Sequence, residues 1–222
     1  MNVWVAGVSH SSAGEAIANL LAAEGHGVIG TDRELVDVTD WESMDKFVEV
    51  NGPFDAAVYA VGIPLLEWVR EADLLDLKEV FETNTFGFVG FMRALVEHQT
   101  SGRVLCLVSD ASRTPMRGSL AYCASKAALE MAVRCCAREL APEWSINGLS
   151  PSTIEDTNMT HYNDHAIPAF RGWDADKAKE YELSMVPMHR RVTKQEVAEA
   201  AVSILTMPSF MSGEIVFLAG GK

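Results

Sequence analysis

Tyr122 and Lys126 lie four residues apart in the run AYCASKAAL, residues 121–129. On a helix that spacing sets both side chains on one face, where an ammonium can act on a phenol. A phenol with an ordinary pKa of about 10 exchanges protons poorly near neutrality. A neighbouring cation favours the phenolate and lowers that pKa, which suits proton transfer at a carbonyl oxygen. Taken alone, the pair reads equally well as a solvated tyrosine beside a surface lysine. Ser109 ends the apolar run RVLCLVS thirteen residues before Tyr122, at the carboxyl end of a predicted strand, where ligands gather in parallel sheets. Ser112 is a competing serine, ten residues before Tyr122. Asn84 interrupts a long helical pattern in FETNTFG; asparagine is a poor helix former, although an exposed or back-bonded side chain would also account for it.

The elements that must position these residues follow from hydrophobic periodicity. NVWVAG reads as a strand, and residues 13–24 as a helix with Ile17, Leu20 and Leu21 on one face. GHGVIGT is a second strand, 40–50 a helix, and FDAAVYAVG a strand with small buried residues. A long helical region covers about 71–98, RVLCLVS is a strand, and 119–141 is a long helix with Leu129, Ala132, Val133, Cys136 and Leu140 inward. SINGLS, a helix at 194–206 and the strand GEIVFLA complete the chain. Repeated strand-then-helix units imply a parallel sheet covered by helices on both faces. One segment resists: LVDV at 35–38 follows the second strand too closely for a parallel crossover. It is expected to be an extended, poorly paired edge leading into the helix at 40–50, capped by Thr39 or Asp40.

Bulk properties bound the function. The chain has 222 residues, 48% apolar and 22% charged, which suits one soluble α/β domain. A net charge of −13 argues against nucleic acid or an anionic membrane as partner. No apolar run reaches membrane-spanning length and no basic-then-apolar leader opens the sequence, so a cytoplasmic location is expected. Cys106, Cys123, Cys135 and Cys136 form no CxxC pair and lie in apolar segments, so they are expected to be buried, reduced thiols. The six histidines show no metal-binding spacing, so no metal site is expected.

With Asn84, Ser109, Tyr122 and Lys126 in this order and at these distances, the chain resembles the short-chain dehydrogenase/reductase family over almost its whole length. The resemblance implies a Rossmann-like, doubly wound parallel sheet flanked by helices, with residues 1–222 forming a single domain. It implies Tyr122 as catalytic acid–base, and Lys126 as the residue that lowers its pKa and holds the nicotinamide ribose. Ser109 would hydrogen-bond the substrate carbonyl or hydroxyl, and Asn84 would hold a water in the proton relay. Ser112 is spaced more closely than is usual in the family, so Ser109 is preferred. NGLSPSTIEDT resembles the family's N-x-x-x-PG-x-x-x-T stretch, with Pro151 kept, Ser152 where glycine is usual and one extra residue before Thr157. Backbone around Ile154 and the Thr157 hydroxyl would then contact the nicotinamide amide. VPMHRRVTKQEVAEAAVSIL and SGEIVFLAGGK resemble the family's last helix, with the segment before it, and its terminal strand. Residues 157–187 would cover the substrate, with His161, Tyr162, His165, Phe170, Arg171 and Trp173 before the charged piece DADKAKEYE.

AGVSHSSAGEAIA, residues 6–18, would be the phosphate loop. Glycines there permit a tight turn and close approach of backbone N–H groups to pyrophosphate. Gly7 takes the first place; read without gaps, Ser11 and Ala13 replace the second and third glycines, whereas one inserted residue makes Gly14 the third. Hydroxyls of Ser9, Ser11 and Ser12 would compensate, although Ser12 and Glu15 equally fit a capping box that needs no ligand. Asp32, eighteen residues beyond Gly14, would accept the ribose hydroxyls of NAD, whereas Arg33 would serve the extra phosphate of NADP. Glu15, where the family often carries a basic residue, tilts the choice to NAD, with NADP the alternative. Asp37 resembles the adenine-amino contact. Ala60 and Gly62 lie in YAVG, where the family has N-N-A-G and Tyr59 replaces an asparagine. The implied activity is NAD(P)-dependent hydride transfer between nicotinamide and a small carbonyl or alcohol. The other reading is a non-catalytic NAD(P)-binding sensor or assembly protein, which would have no need of all four residues of the catalytic set. A homo-dimer or homo-tetramer through the helices at 71–98 and 119–141 is expected by the same resemblance, with Ala124, Ala127, Ala128 and Ala132 small enough for close helix approach.

Overall fold

The computed structural model describes residues 1–222. Six strands, β1 (Asn2–Ala6), β2 (Gly27–Thr31), β3 (Ala56–Tyr59), β4 (Gly102–Leu107), β5 (Trp144–Pro151) and β6 (Ile215–Leu218), form one sheet in the order β2-β1-β3-β4-β5-β6. Every neighbouring pair is parallel. The helices are α1 (Ala13–Ala23), α2 (Trp41–Asn51), α3 (Leu74–Phe81), α4 (Gly87–His98), α5 (Leu120–Glu139), α6 (Asn158–Arg171), α7 (Ala175–Ser184) and α8 (Lys194–Thr206).

Successive side chains of a strand point to opposite faces, and both faces here are covered. In β1 and β3, Trp4, Ala6, Ala57 and Tyr59 join the core under α2, α4 and α5. Val3, Val5, Ala56 and Val58 join the core under α1 and α8. This is why these strands read as nearly continuous apolar runs. The strand order reverses at β1, whose neighbours β2 and β3 lie on opposite sides. The connections after β1 and β3 therefore leave in opposite directions, and a crevice opens at their carboxyl ends.

Three expectations are corrected. LVDV is neither extended nor paired: Val36 N donates to the Asp32 carbonyl at 2.9 Å, closing a turn, and Val36 and Val38 enter the core. The sheet therefore ends at β2, and Asp40 caps α2 directly by accepting from Glu42 N and Ser43 N. The long helix expected from 71 begins at Leu74, after a single 3₁₀ turn at Val69–Glu71. It is interrupted by a π turn at Glu82–Phe86, where Gly87 N reaches back to the Glu82 carbonyl. Of the four cysteines only Cys106 is buried; Cys123 and Cys136 are half-buried and Cys135 is exposed, because α5 turns them to different sides.

The helices α2 and α4 touch at Gly90, where an added Cβ would lie 2.6 Å from both the Met44 Cε and the Trp41 ring. A Gly90→Val variant is expected to lose about 1–3 kcal/mol of stability through overpacking. A shifted urea midpoint with an unchanged slope measures this, and dinucleotide affinity should stay within twofold of wild type.

Candidate active site

Four elements converge on the carboxyl end of the sheet. Lys126 rises from α5 and is 3% exposed, with its Nζ donating to the Leu107 carbonyl at the end of β4 at 3.1 Å. Tyr122 sits one turn earlier, its ring centroid 5.9 Å from Lys126 Nζ. Ser109 follows β4, and its hydroxyl stands near enough to the Tyr122 phenol to favour the phenolate. The same Ser109 oxygen accepts from Ala111 N at 3.2 Å, which fixes its direction. Ser112 instead donates to Glu130 at 2.7 Å and is turned away.

Asn84 is fully buried in the π turn. Its Oδ1 accepts from Ile63 N at 2.8 Å, and its Nδ2 donates to the Ile63 carbonyl and to Ser125 Oγ, each at 3.0 Å. Ser125 Oγ in turn donates to the Tyr122 carbonyl at 2.9 Å. A side chain at Gly62 would begin 3.1 Å from Lys126 Nζ and 3.4 Å from Asn84 Oδ1. Gly62 thus marks an opening onto which both polar groups face. The structure brings Asn84, Ser109, Tyr122, Lys126 and Gly62 together around one crevice.

Burial dominates the electrostatics. It pushes the Tyr122 phenol up to about 12, against the nearby Ser109 hydroxyl, which favours phenolate, and with the Asp110 carboxylate opposing ionisation. Burial also pushes the Lys126 ammonium down to about 8. The lowering of the tyrosine expected from its lysine is therefore outweighed by burial. Both groups have left water, and the ammonium is committed to a carbonyl rather than to the phenol.

The loop after β1 settles its register. Gly7 has φ +99, and a Cβ there would lie 2.7 Å from the Ala60 carbonyl oxygen; a Cβ on Gly14 would overlap the Gly7 carbonyl. Gly14, not Ala13, is therefore the close-packing glycine. Ser11 takes the left-handed conformation at φ +56. Ser12 caps α1, accepting from Glu15 N at 3.0 Å and from Ser9 N at 3.2 Å, and donates to the Gly7 carbonyl. The expected capping box is altered: the Glu15 carboxylate accepts from Ser11 N at 2.8 Å rather than from Ser12 N. The first-turn N–H groups of Ala13 and Gly14 have no partner within the chain.

The remaining predicted residues are placed as follows. Asp32 directly follows β2, and its Oδ1 accepts from Glu34 N and Leu35 N, leaving Oδ2 free. Arg33 Nε is held by Asp37 at 3.1 Å, and Asp37 also accepts from Thr39. Against the burial that raises it, the Thr39 and Arg33 contacts hold the Asp37 carboxyl below its usual value. The two side chains form an ion pair in which Arg33 stays largely exposed. Ala60 N pairs with the Ala6 carbonyl. Pro151 closes β5, and Ile154 bridges to Val192. The Thr157 hydroxyl caps α6, accepting from Thr160 N at 3.2 Å.

Several residues went unnoticed in the sequence. Met159 Sδ lies 3.8 Å from the Tyr122 hydroxyl, and Asn158 donates to the His10 carbonyl, tying α6 to the phosphate loop. Their only signal was their place directly after Thr157. Pro64, Met159 and Tyr162 line a cavity of about 360 Å³ with Gly62. Farther out, Phe170 stacks on Trp68 at 4.4 Å and Arg117 lies over Trp68. Lys222 pairs with Asp110 at 2.7 Å beside Ser109. The side chains contain no cluster of metal-ligating groups.

A protein-family model described as enoyl-(acyl carrier protein) reductase matches residues 34–222. An L-xylulose reductase of Mesocricetus auratus is 27% identical over 203 residues, covering 86% of this chain and 77% of that protein. Among solved structures, NAD+-bound xylitol dehydrogenase superposes with a TM-score of 0.90 at 23% identity, covering 99% of this chain and 98% of that one. A small-chain dehydrogenase in complex with NADPH gives 0.83 at 22% identity, covering 99% and 97%.

The buried ammonium has a stability signature. Lys126 binds its proton more weakly folded than unfolded, so between about pH 8 and 10 the unfolded chain holds more protons and this residue's contribution to stability rises with pH. A Lys126→Met variant is expected to be more stable than wild type at pH 7 by roughly 1–3 kcal/mol. The difference should shrink at pH 9.5, as read by urea unfolding at the two pH values.

Proposed function

The chain belongs to the short-chain dehydrogenase/reductase family of NAD(P)-dependent oxidoreductases, and on that premise we propose that Tyr122 moves the proton as a small carbonyl compound and its alcohol interconvert. The observation that carries this reading is the convergence of Asn84, Ser109, Tyr122 and Lys126 on the opening at Gly62. Ser109 aims the substrate oxygen at the phenol by hydrogen bonding. Tyr122 gives its proton to the carbonyl oxygen in reduction, and its phenolate takes the hydroxyl proton in oxidation. Asn84 holds the water through which Tyr122 is reprotonated. Met159 and the cavity walls limit water at the reacting carbon.

The residues fit a dinucleotide: Gly7 turns left-handed, Gly14 lets α1 pack against that turn, Gly62 lacks a side chain that would cover Lys126 Nζ, and two amides of α1 stand open. When bound, the nicotinamide supplies or accepts the hydride. Ala13 and Gly14 would hold pyrophosphate oxygens, aided by Ser9, Ser11 and Ser12, and Lys126 the nicotinamide ribose. Pro151, Ile154 and Thr157 would border the nicotinamide amide. We favour NAD over NADP, because Asp32 keeps a free carboxylate oxygen while Arg33 is drawn to Asp37. The helices α6 and α7 would cover the substrate. Since the relatives' names point to pentuloses and their polyols, L-xylulose and xylitol open the list of compounds to try. Exposed Leu74, Leu75, Phe86, Leu120 and Met131 on α3, the π turn and α5 suit a homo-oligomeric contact. Four unpaired cysteines suit the cytoplasm, and no helix is long and apolar enough to cross a membrane.

A panel of carbonyl and alcohol compounds, read at nicotinamide absorbance, tests the activity. Tyr122→Phe should lower kcat by about 10²–10⁴-fold on any substrate found, with NADH affinity within a few-fold; wild-type turnover in that variant refutes the assignment. With the phenol pushed up to about 12, reduction should proceed near neutrality and oxidation should gain rate as pH rises. Fluorescence titration should show NADH binding more tightly than NADPH, a preference that Asp32→Ser should weaken. Tighter NADPH binding by the wild type would reverse the cofactor assignment.

A further inference from the structure

Tyr59 stands at the end of β3 and is fully buried. Its ring meets Phe88 and Phe91 edge-on, at centroid distances of 5.7 and 5.4 Å. A buried phenol left unpaired is costly. Here the hydroxyl donates to the Thr83 carbonyl at 2.6 Å. Thr83 lies inside the π turn at Glu82–Phe86 and immediately precedes Asn84. The ring reaches this carbonyl only because residue 87 is glycine, since a Cβ there would overlap the Tyr59 hydroxyl. Burial holds the phenol far above its ordinary pKa, so it remains a donor at every working pH.

On its other side the same turn is tied to the site. Asn84 reaches Ile63 and Ser125 by three hydrogen bonds, and Thr85 Oγ1 donates to the Ser125 carbonyl at 3.0 Å. Ser125 reaches the Tyr122 carbonyl. The turn is thus clamped between the sheet below and α5 above.

We propose that Tyr59 is a positioning residue for Asn84: its hydroxyl pins the Thr83 carbonyl and so keeps the π turn in the register that aims the Asn84 carboxamide at the catalytic crevice. This rests on the reading of Asn84 as part of the proton-handling site. The π turn places one more residue in the helix than α geometry would. Without a donor at Thr83, the turn can relax towards an ordinary helix, which would rotate Asn84 away from Ile63 and Ser125. Tyr59 touches no reacting atom and acts only through the turn.

The test is Tyr59→Phe, which keeps the ring and removes the hydroxyl, studied alone and with Asn84→Ala. In the ligand-free protein, hydrogen–deuterium exchange at residues 82–87 should quicken about tenfold, while β4 and the C-terminal half of α5 stay protected. Unchanged exchange at 82–87 overturns the proposal, as does equal quickening throughout the core. On the substrate that the panel identifies, kcat should fall about tenfold, with KM and the NADH dissociation constant within twofold. In the Asn84→Ala background the same change should cause no further fall in kcat. An equal fall in both backgrounds marks a purely structural role and overturns the proposal. If Asn84→Ala is impaired while Tyr59→Phe matches wild type, the positioning role fails and the Asn84 reading stands. If Asn84→Ala itself keeps full kcat, the Asn84 reading fails and takes this proposal with it.

Discussion

Taking the Lys126 ammonium out of water is the constraint around which the carboxyl edge of the sheet is arranged. An isolated buried charge is expensive, so it must be met by oriented dipoles or neutralise. Here the Leu107 carbonyl meets it, left open on the β3 side where β3 has ended at Tyr59. The turn after β4 aims the Ser109 hydroxyl, which the Ala111 amide then holds. Gly62 keeps the other side clear, since any side chain there would cover the ammonium. A residue that weakens the fold near neutral pH thus draws on the end of a strand and on the absence of a side chain.

The phenol and the ammonium share this environment, and it acts on them in opposite senses. Burial penalises the charged form of each, raising one pKa and lowering the other. Four-residue spacing on a helix guarantees that the two side chains share a face, but not that one ionises the other. The lysine is oriented by a main-chain carbonyl, whereas the tyrosine hydroxyl faces Met159 Sδ with the Ser109 hydroxyl near it. The pair is assembled, with its proton still on the phenol. Asp110 adds to that bias, and Lys222 offsets part of its charge.

Much of the architecture was legible because period and length decide it. The buried strands show as apolar runs, the helix at 13–24 as a 3.6-residue pattern, and Asp40 as a cap. The reading of LVDV as extended failed, because β-type composition does not distinguish an extended edge from a turn whose side chains enter the core. Val36 and Val38 are apolar for the core, not for a sheet edge. The candidate catalytic residues stood out by type and spacing, whereas the π turn did not: a one-residue insertion leaves no periodicity signal, and Asn84 gave only a low helix propensity. Ser125 and Tyr59 were invisible as network members, since their partners lie forty-one and twenty-four residues away in sequence.

The phosphate loop shows how missing glycines are absorbed. A serine at φ +56 bears a strain that glycine would not, yet two side chains over-determine the loop around it. Ser12 collects two amides and bonds the Gly7 carbonyl, and Glu15 takes the Ser11 amide with His10 nearby at 3.8 Å. These contacts give the loop a defined shape before any anion arrives. They also bind the Glu15 carboxylate to the Ser11 amide, while the amides of Ala13 and Gly14 stay unpaired. Glu15 takes one donor of the loop, the Ser11 amide, so the loop exchanges a free N–H for rigidity. Holding a dinucleotide on such a loop shifts weight to contacts away from the phosphates. Under the proposed cofactor reading, Asp32 at one end and Lys126 at the other would carry it.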